Sequence, residues 1–155
     1  MLENCKTAKE RWGGVSDIID RWLQERQDML VQYCSLSTAS DFDENDPDTC
    51  SQTRRLCQIL MDYTSAGHFE VYGQLLQEAK EFNDQAALKE GSKLISQLEA
   101  TTDKVLDFND KYQETDDLSS LPEDLSDIGE TLATRFEAED RMIEVLHVAH
   151  KDLVA

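Results

Sequence analysis

The stretch LSDIGETLATRFEAEDRMIEVL, residues 125–146, decides the fold class. Read in steps of three and four, it sets Leu125, Ile128, Leu132, Arg135, Glu139, Met142 and Leu146 on one line, which Ala149 continues. Such a line is the seam that a helix turns toward its neighbours in a bundle. Two charged residues interrupt it. Arg135 and Glu139 stand one turn apart, where they can pair. A buried charge is costly unless it is paired and hydrogen-bonded. The stretch therefore predicts a polar network inside or at one end of a bundle, built on Arg135 and Glu139. Asp62, Ser65 and His68 are candidate partners, with Asp62 and His68 expected inside the network.

Working outward, the same helical spacing recurs upstream. Val15, Ile18, Ile19, Trp22, Leu23, Met29, Leu30 and Tyr33 make one stripe. Gly13-Gly14 before it sets off a short N-terminal helix or turn. STASDFDENDPD (37–48) carries five acids, no base and a proline, and reads as a loop. A second helix follows over about 49–64, and Phe69, Val71, Tyr72, Leu75 and Leu76 extend its pattern to about residue 82. MDYTSAGHFEVYGQLL (61–76) spans this join and puts Ser65, Ala66 and Gly67 where core packing favours leucine. One helix kinked near Gly67 and two shorter helices fit equally. Asn83-Asp84 reads as a break and an N-cap. Leu88, Leu94, Ile95, Leu98, Val105, Leu106, Phe108 and Tyr112 mark the third long segment. QETDDLSSLP (113–122) is a polar turn, and its proline suits the start of the last helix, expected over about 122–152. There is no β alternation and no internal repeat. The expected fold is all-α: an antiparallel four-helix bundle forming one domain over residues 1–155.

Charge narrows the function. Against 33 acidic residues stand 15 basic ones, a net charge of −18 over 155 residues. Nucleic acid is a poor direct ligand for such a surface, because phosphate binding needs lysine and arginine clusters. Anionic membranes are disfavoured for the same reason, whereas basic partners are attracted and steered. No apolar run is long enough to span a membrane, and MLENCKTAKERW has no secretory h-region, so a cytoplasmic protein is expected. Cys5, Cys34, Cys50 and Cys57 show no C-x-x-C spacing and read as ordinary small residues.

Catalytic and metal motifs are weak. Glu144 and His147 give one E-x-x-H spacing where a di-iron bundle needs two. Arg135 in RFEAEDRM stands where a hemerythrin-like helix would place a ligating histidine, and a guanidinium cannot ligate a cation. Asp41, Asp43 and Asn45 copy the first calcium-loop positions, but Asp46 replaces the glycine and Gln52 the closing glutamate. No phosphate loop and no nucleophile motif is present. His147 and His150 read as cations favouring a helix C-terminus. No cofactor and no enzymatic activity are expected.

Three blocks then carry a resemblance. IDRWLQERQ (19–27), LMDYTSAGHFEVYGQLL (60–76) and LSDIGETLATRFEAEDRMIEVL (125–146) resemble, in order and spacing, the signature blocks of the Rsd/AlgQ family. The opening residues look closer to its AlgQ branch. The resemblance implies a cytoplasmic anti-sigma factor. Such a protein binds region 4 of the primary sigma factor, sigma-70, and limits its association with core RNA polymerase and the promoter −35 element. Alternative sigma factors are then favoured, especially in stationary phase, and further regulatory partners occur in some members. Region 4 is a helix-turn-helix that grips DNA phosphates and is basic, which suits an acidic binder. Expected partner-binding residues are Asp62, Ser65, His68, Phe69 and Tyr72, with Asp20, Arg21 and Trp22 next by resemblance. Ordinary core packing remains open for Trp22 and Tyr72. The competing reading is a metal- or small-ligand-binding bundle that uses the internal polar cluster.

Overall fold

The computed structural model describes residues 8–37 and 45–154. Its elements are α1 (Ala8–Ser37), α2 (Pro47–Ala66), a π-helical turn (Gly67–Val71), α3 (Tyr72–Glu81), α4 (Gln85–Tyr112) and α5 (Leu121–Leu146). A 3-10 turn (Val148–Leu153) follows. α2, the π turn and α3 succeed one another without a gap, so the described residues form four rods. Cross-links set their directions. Gln32 Nε2 donates to Gln52 O at 3.2 Å and the Trp22 indole donates to Tyr63 O at 3.1 Å, so α1 and α2 run oppositely. Arg54 Nε reaches Gln113 O at 3.2 Å, Lys111 Nζ reaches Asp124 Oδ2 at 2.7 Å, and Arg141 Nε reaches Glu90 Oε1 at 2.8 Å. The fold is the expected all-α, up-and-down bundle.

Local chemistry places the ends. The Asp46 carboxylate accepts from Asp48 N–H at 2.9 Å, and Pro47 occupies the first turn of α2, where its missing N–H is not needed. Asp84 accepts from Ala87 N–H at 3.1 Å and caps α4. Asn83 before it has φ 55°, a left-handed conformation that asparagine tolerates. Met29, Leu56, Leu60, Leu75, Val105, Leu132 and Met142 fill the core, all fully or almost fully buried.

Two expectations need correction. α1 runs straight through Gly13-Gly14 rather than breaking there. Two helical glycines cost only about 2 kcal/mol together, and Trp12 and Val15 on either side are docked: the Trp12 indole donates to His147 O at 3.0 Å. Residues 1–7 lie outside the described part, as do Asp41 and Asp43 of the calcium-like loop. Of the two readings left open at Gly67, the structure has the continuous one: α2, a π turn over Gly67–Val71 and α3 follow one another without a gap, and the π turn is the local departure from α geometry there. The last α-helix stops at Leu146, short of the expected 152, because His147 leaves helical geometry (φ −132°) and turns inward with His150.

Candidate functional site

The network predicted from the α5 seam exists, with different partners. Arg135 is 0% exposed and Glu139 1%. Their ion pair spans 3.3 Å from Arg135 Nε to Glu139 Oε2. Arg135 Nη1 donates to Thr101 Oγ1 (3.0 Å) and Thr102 Oγ1 (2.8 Å) on α4, and Nη2 donates to the Tyr72 hydroxyl (2.9 Å). The Tyr63 hydroxyl donates to Glu139 Oε1 and the Tyr72 hydroxyl to Oε2, each at 2.6 Å. From α1, Arg26 donates through Nε to the Tyr63 hydroxyl (2.9 Å) and lies 3.4 Å from Glu139 Oε1 through Nη2. Its Nη1 reaches Asp140 at the surface, 2.6 Å away. One carboxylate thus faces two hydroxyl donors and two guanidiniums, the arrangement that a buried charge requires. Burial pushes the Glu139 carboxyl up from its ordinary value, while Arg135, Tyr63, Tyr72 and Arg26 pull it down. Burial also pushes the Tyr63 and Tyr72 phenols up, so both stay protonated donors.

Asp62 and His68 do not join this network, contrary to the sequence reading. Both lie on the exposed face of the rod. Asp62 accepts from Gln58 Nε2 at 2.9 Å, and the His68 ring meets the Phe69 ring edge-on at 4.8 Å. The rod is wound so that Tyr63 and Thr64, not Asp62, point inward. Trp22 and Tyr72 are core residues, 2% and 6% exposed. Trp22 stacks on Tyr63 (4.9 Å between ring centroids) and meets Tyr72 edge-on (6.0 Å). Its ring presses on Gly67, where a Cβ would sit 2.9 Å from Trp22 Cζ2. The small residue in the opening puzzle makes room for the protein's own tryptophan. Asp20 and Arg21 are exposed on α1, and Ser65 is half-buried.

What remains on the surface is an acidic face with an aromatic tip. Phe69 is 82% exposed and Val31 58%. A groove of about 450 Å³ between α1 and α2 is lined by Glu25, Asp28, Val31, Arg55, Ile59 and Asp62. Burial, then the charges of Asp62, Glu70 and Asp28, push the Glu25 carboxyl up. Negative charge is therefore crowded here, with Arg21 pulling weakly the other way.

A second buried cluster escaped the sequence reading. Glu78 is 3% exposed on α3; its Oε1 lies 2.6 Å from His147 Nδ1 and its Oε2 2.9 Å from His150 Nδ1. His150 Nε2 lies 2.8 Å from Asp84 Oδ2. Both His150 nitrogens face carboxylates, which only accept, so both carry hydrogen and the ring is an imidazolium. Burial opposes that charge, but the hydrogen bonds to Glu78 and Asp84 outweigh it and raise the His150 pKa. The bond from His150 holds Asp84 below the usual carboxylate value. Trp12 stacks on His147 at 4.2 Å and Phe82 on His150 at 4.9 Å. The two histidines thus clamp α3 to the end of α5 rather than merely favouring a helix dipole. The signal was present in the sequence: Glu78 follows Leu75 by three, an acid on the apolar line. Among the described residues, no group of three or more His, Cys, Asp and Glu is arranged to hold a metal ion. Cys50 and Cys57 are free thiols. No described helix is long and apolar enough to cross a membrane.

Comparison with known proteins matches residues 1–147 to the family described as "Regulator of RNA polymerase sigma(70) subunit, Rsd/AlgQ". The chain is similar to the protein named "Regulator of sigma D" of Enterobacter sp. (strain 638), 33% identical over 165 aligned positions covering 100% of this chain and 98% of the relative. It is also similar to the "Regulator of sigma D" of Yersinia pseudotuberculosis serotype O:3 (strain YPIII), 30% identical over 149 positions covering 93% of this chain and 88% of the relative. No solved structure matches.

Proposed function

This chain belongs to the Rsd/AlgQ family of regulators of the RNA polymerase sigma(70) subunit, and on that premise we propose that it is an anti-sigma factor that binds region 4 of the primary sigma factor. The observation that carries the reading is the acidic α1–α2 face, with Phe69 82% exposed in the turn that follows α2. A helix-turn-helix that reads DNA presents a basic surface to phosphates. Glu25, Asp28, Asp62 and Glu70 offer that surface a substitute for the phosphates, and Phe69 offers an aromatic anchor of the kind that dominates interface energetics. Asp20, Arg21, Ser65 and His68 are further candidate contacts: Asp20, Arg21 and His68 are exposed, Ser65 is half-buried, and Arg21 acts on Glu25 of this face. Trp22 and Tyr72 support it from beneath. Covering region 4 removes it from both the −35 element and core polymerase, which favours alternative sigma factors.

Isolated region 4 tests this in size-exclusion chromatography and titration calorimetry. A complex is expected that weakens as salt is raised, because the attraction is between opposite charges. Asp62→Ala and Phe69→Ala should each weaken it by roughly tenfold, the scale of a single interface anchor. Helicity should not change, since both side chains point outward. Absence of a complex at low salt sinks the reading.

A further inference from the structure

Most arginines of this chain pair with its own carboxylates. Arg11 meets Glu81 (3.0 Å), Arg26 meets Asp140 (2.6 Å), Arg54 meets Asp116 (2.9 Å), Arg135 meets Glu139 (3.3 Å) and Arg141 meets Glu90 (2.8 Å). Among the described residues, the other two arginines, Arg21 and Arg55, form no ion pair, and both stand at the acidic face. Arg21 lies one turn before Glu25 on α1 and pulls its carboxyl down. Arg55 is exposed on α2 and lines the groove itself. Its neighbour Arg54 is engaged elsewhere, on Gln113 O and Asp116.

The groove walls run antiparallel, with Gln32 against Gln52 and Trp22 against Tyr63. Arg55 is therefore nearly level with Asp28, while Asp62 lies toward the Trp22 end with Glu25. Arg55, Ile59 and Asp62 follow in steps of four and three, one strip of the α2 surface. Two turns, about 10 Å along the axis, separate Arg55 from Asp62. The groove thus has a charge order. Arg55 offsets Asp28 at one end, Ile59 lies between, and the excess of negative charge, Glu25 and Asp62 joined by Glu70, lies at the other. A face built only to attract basic surfaces gains nothing from such a cation, because like charges brought together across an interface cost affinity. Sites that discriminate between partners use a repulsive element as well as an attractive one.

We propose that Arg55 is a specificity-determining residue of the α1–α2 groove: it receives a carboxylate of the partner helix and repels helices that are basic throughout. The proposal rests on the docking face described above. The partner helix then carries basic side chains for Glu25 and Asp62 and, about 10 Å further along, one acid for Arg55. That order also fixes the direction in which the helix lies. Arginine suits the role, because its planar fork takes a carboxylate through two hydrogen bonds and it is enriched among interface anchors.

Arg55→Gln tests this with the fold intact, since the side chain is exposed and makes no hydrogen bond among the described residues. Attraction alone predicts that losing a cation from an acidic face tightens binding to a basic partner. The proposal predicts the opposite sign: affinity for isolated sigma region 4 should fall roughly threefold to tenfold. Arg55→Lys, which keeps the charge but not the fork, should restore part of it. Replacing each Asp and Glu of region 4 by alanine should find one whose loss weakens binding to the unaltered chain but not to Arg55→Gln. Region 4 without that acid should bind Arg55→Gln about twofold or more tighter than it binds the unaltered chain, because only repulsion is then removed. Unchanged or tighter binding of intact region 4 by Arg55→Gln, or no coupled acid, overturns the proposal and leaves the functional reading standing. No complex between region 4 and the unaltered chain at low salt overturns both.

Discussion

Replacing Glu139 with leucine should be worse for the fold than replacing its partner Arg135 with methionine, and making both changes should be better than the first alone. Among the described residues Arg135 has one ion-pair partner, Glu139, and is itself 0% exposed. Glu139→Leu therefore strands a guanidinium in the core with only the hydroxyls of Thr101, Thr102 and Tyr72, and the Tyr63 and Tyr72 hydroxyls lose their acceptor as well. Stranding one member of a buried pair costs about 3–5 kcal/mol. For a domain of this size that lowers Tm by on the order of 10 °C. Arg135→Met leaves a better-provided residue behind. Glu139 keeps the hydroxyls of Tyr63 and Tyr72 at 2.6 Å and the Arg26 guanidinium at 3.4 Å. Thr101 and Thr102 keep their bonds to Leu98 O, 2.7 and 3.1 Å. The loss should then be about 1–3 kcal/mol, the worth of hydrogen bonds to a charged group. In the double variant no charge is stranded, and an apolar pair fills similar space, so stability should recover part of the Glu139→Leu loss. Urea unfolding at pH 7, followed by circular dichroism, ranks the three variants. Equal costs for the two single changes, or a double variant less stable than Glu139→Leu, would refute the account of this core as a compensated charge cluster.

Stability should also depend on pH through the clamp at Glu78. The folded pKa of His150 lies above its unfolded value near 6.5, so its contribution is complete below that pH and is lost as pH rises through the folded pKa. Asp84 is shifted the other way; its contribution is present above the unfolded value near 3.8 and is lost as pH falls through the lowered one. Urea midpoints measured from pH 5 to 9 should fall on the alkaline side, and His150→Gln should flatten that fall; an unchanged profile in the variant counts against the imidazolium. Among the glycines, Gly13→Ala should stabilise by about 0.5–1 kcal/mol, because nothing lies within 4 Å of the added Cβ. Gly67→Ala should destabilise by about 1–3 kcal/mol, since its Cβ meets Trp22 at 2.9 Å. Thermal melts of both variants check the pair, and a stabilised Gly67→Ala would mean that Trp22 is not held over the turn.

Much of the site was legible along a single helix and little of it between helices. Arg135 and Glu139 stood out because a charge on an apolar seam breaks a local period, and a local period can be read from one stretch of chain. Their real partners could not. Tyr63 and Thr101 come from other rods, and Tyr72 faces inward beside Tyr63 only because of a π turn, which changes the rotation between them by about one residue. Asp62 and His68 were misplaced into the interior for the same reason: a fraction of a turn separates the inward Tyr63 from the outward Asp62. Glu78 carried the same mark as Arg135, an ionisable side chain on an apolar line, but its histidines lie 69 and 72 residues away.

Hydrophobic periodicity, the break and cap at Asn83-Asp84 and the excess of acid are properties of the chain itself. They suffice for four antiparallel rods with a negative surface, because each depends on spacing within one segment or on a sum over all of them. Which polar groups meet in the middle, that Gly67 makes room for Trp22, and that Phe69 rather than Tyr72 faces outward are settled only when the rods pack. Those outcomes depend on the rotation of each helix about its axis, and that rotation is set by the side chains of its neighbours.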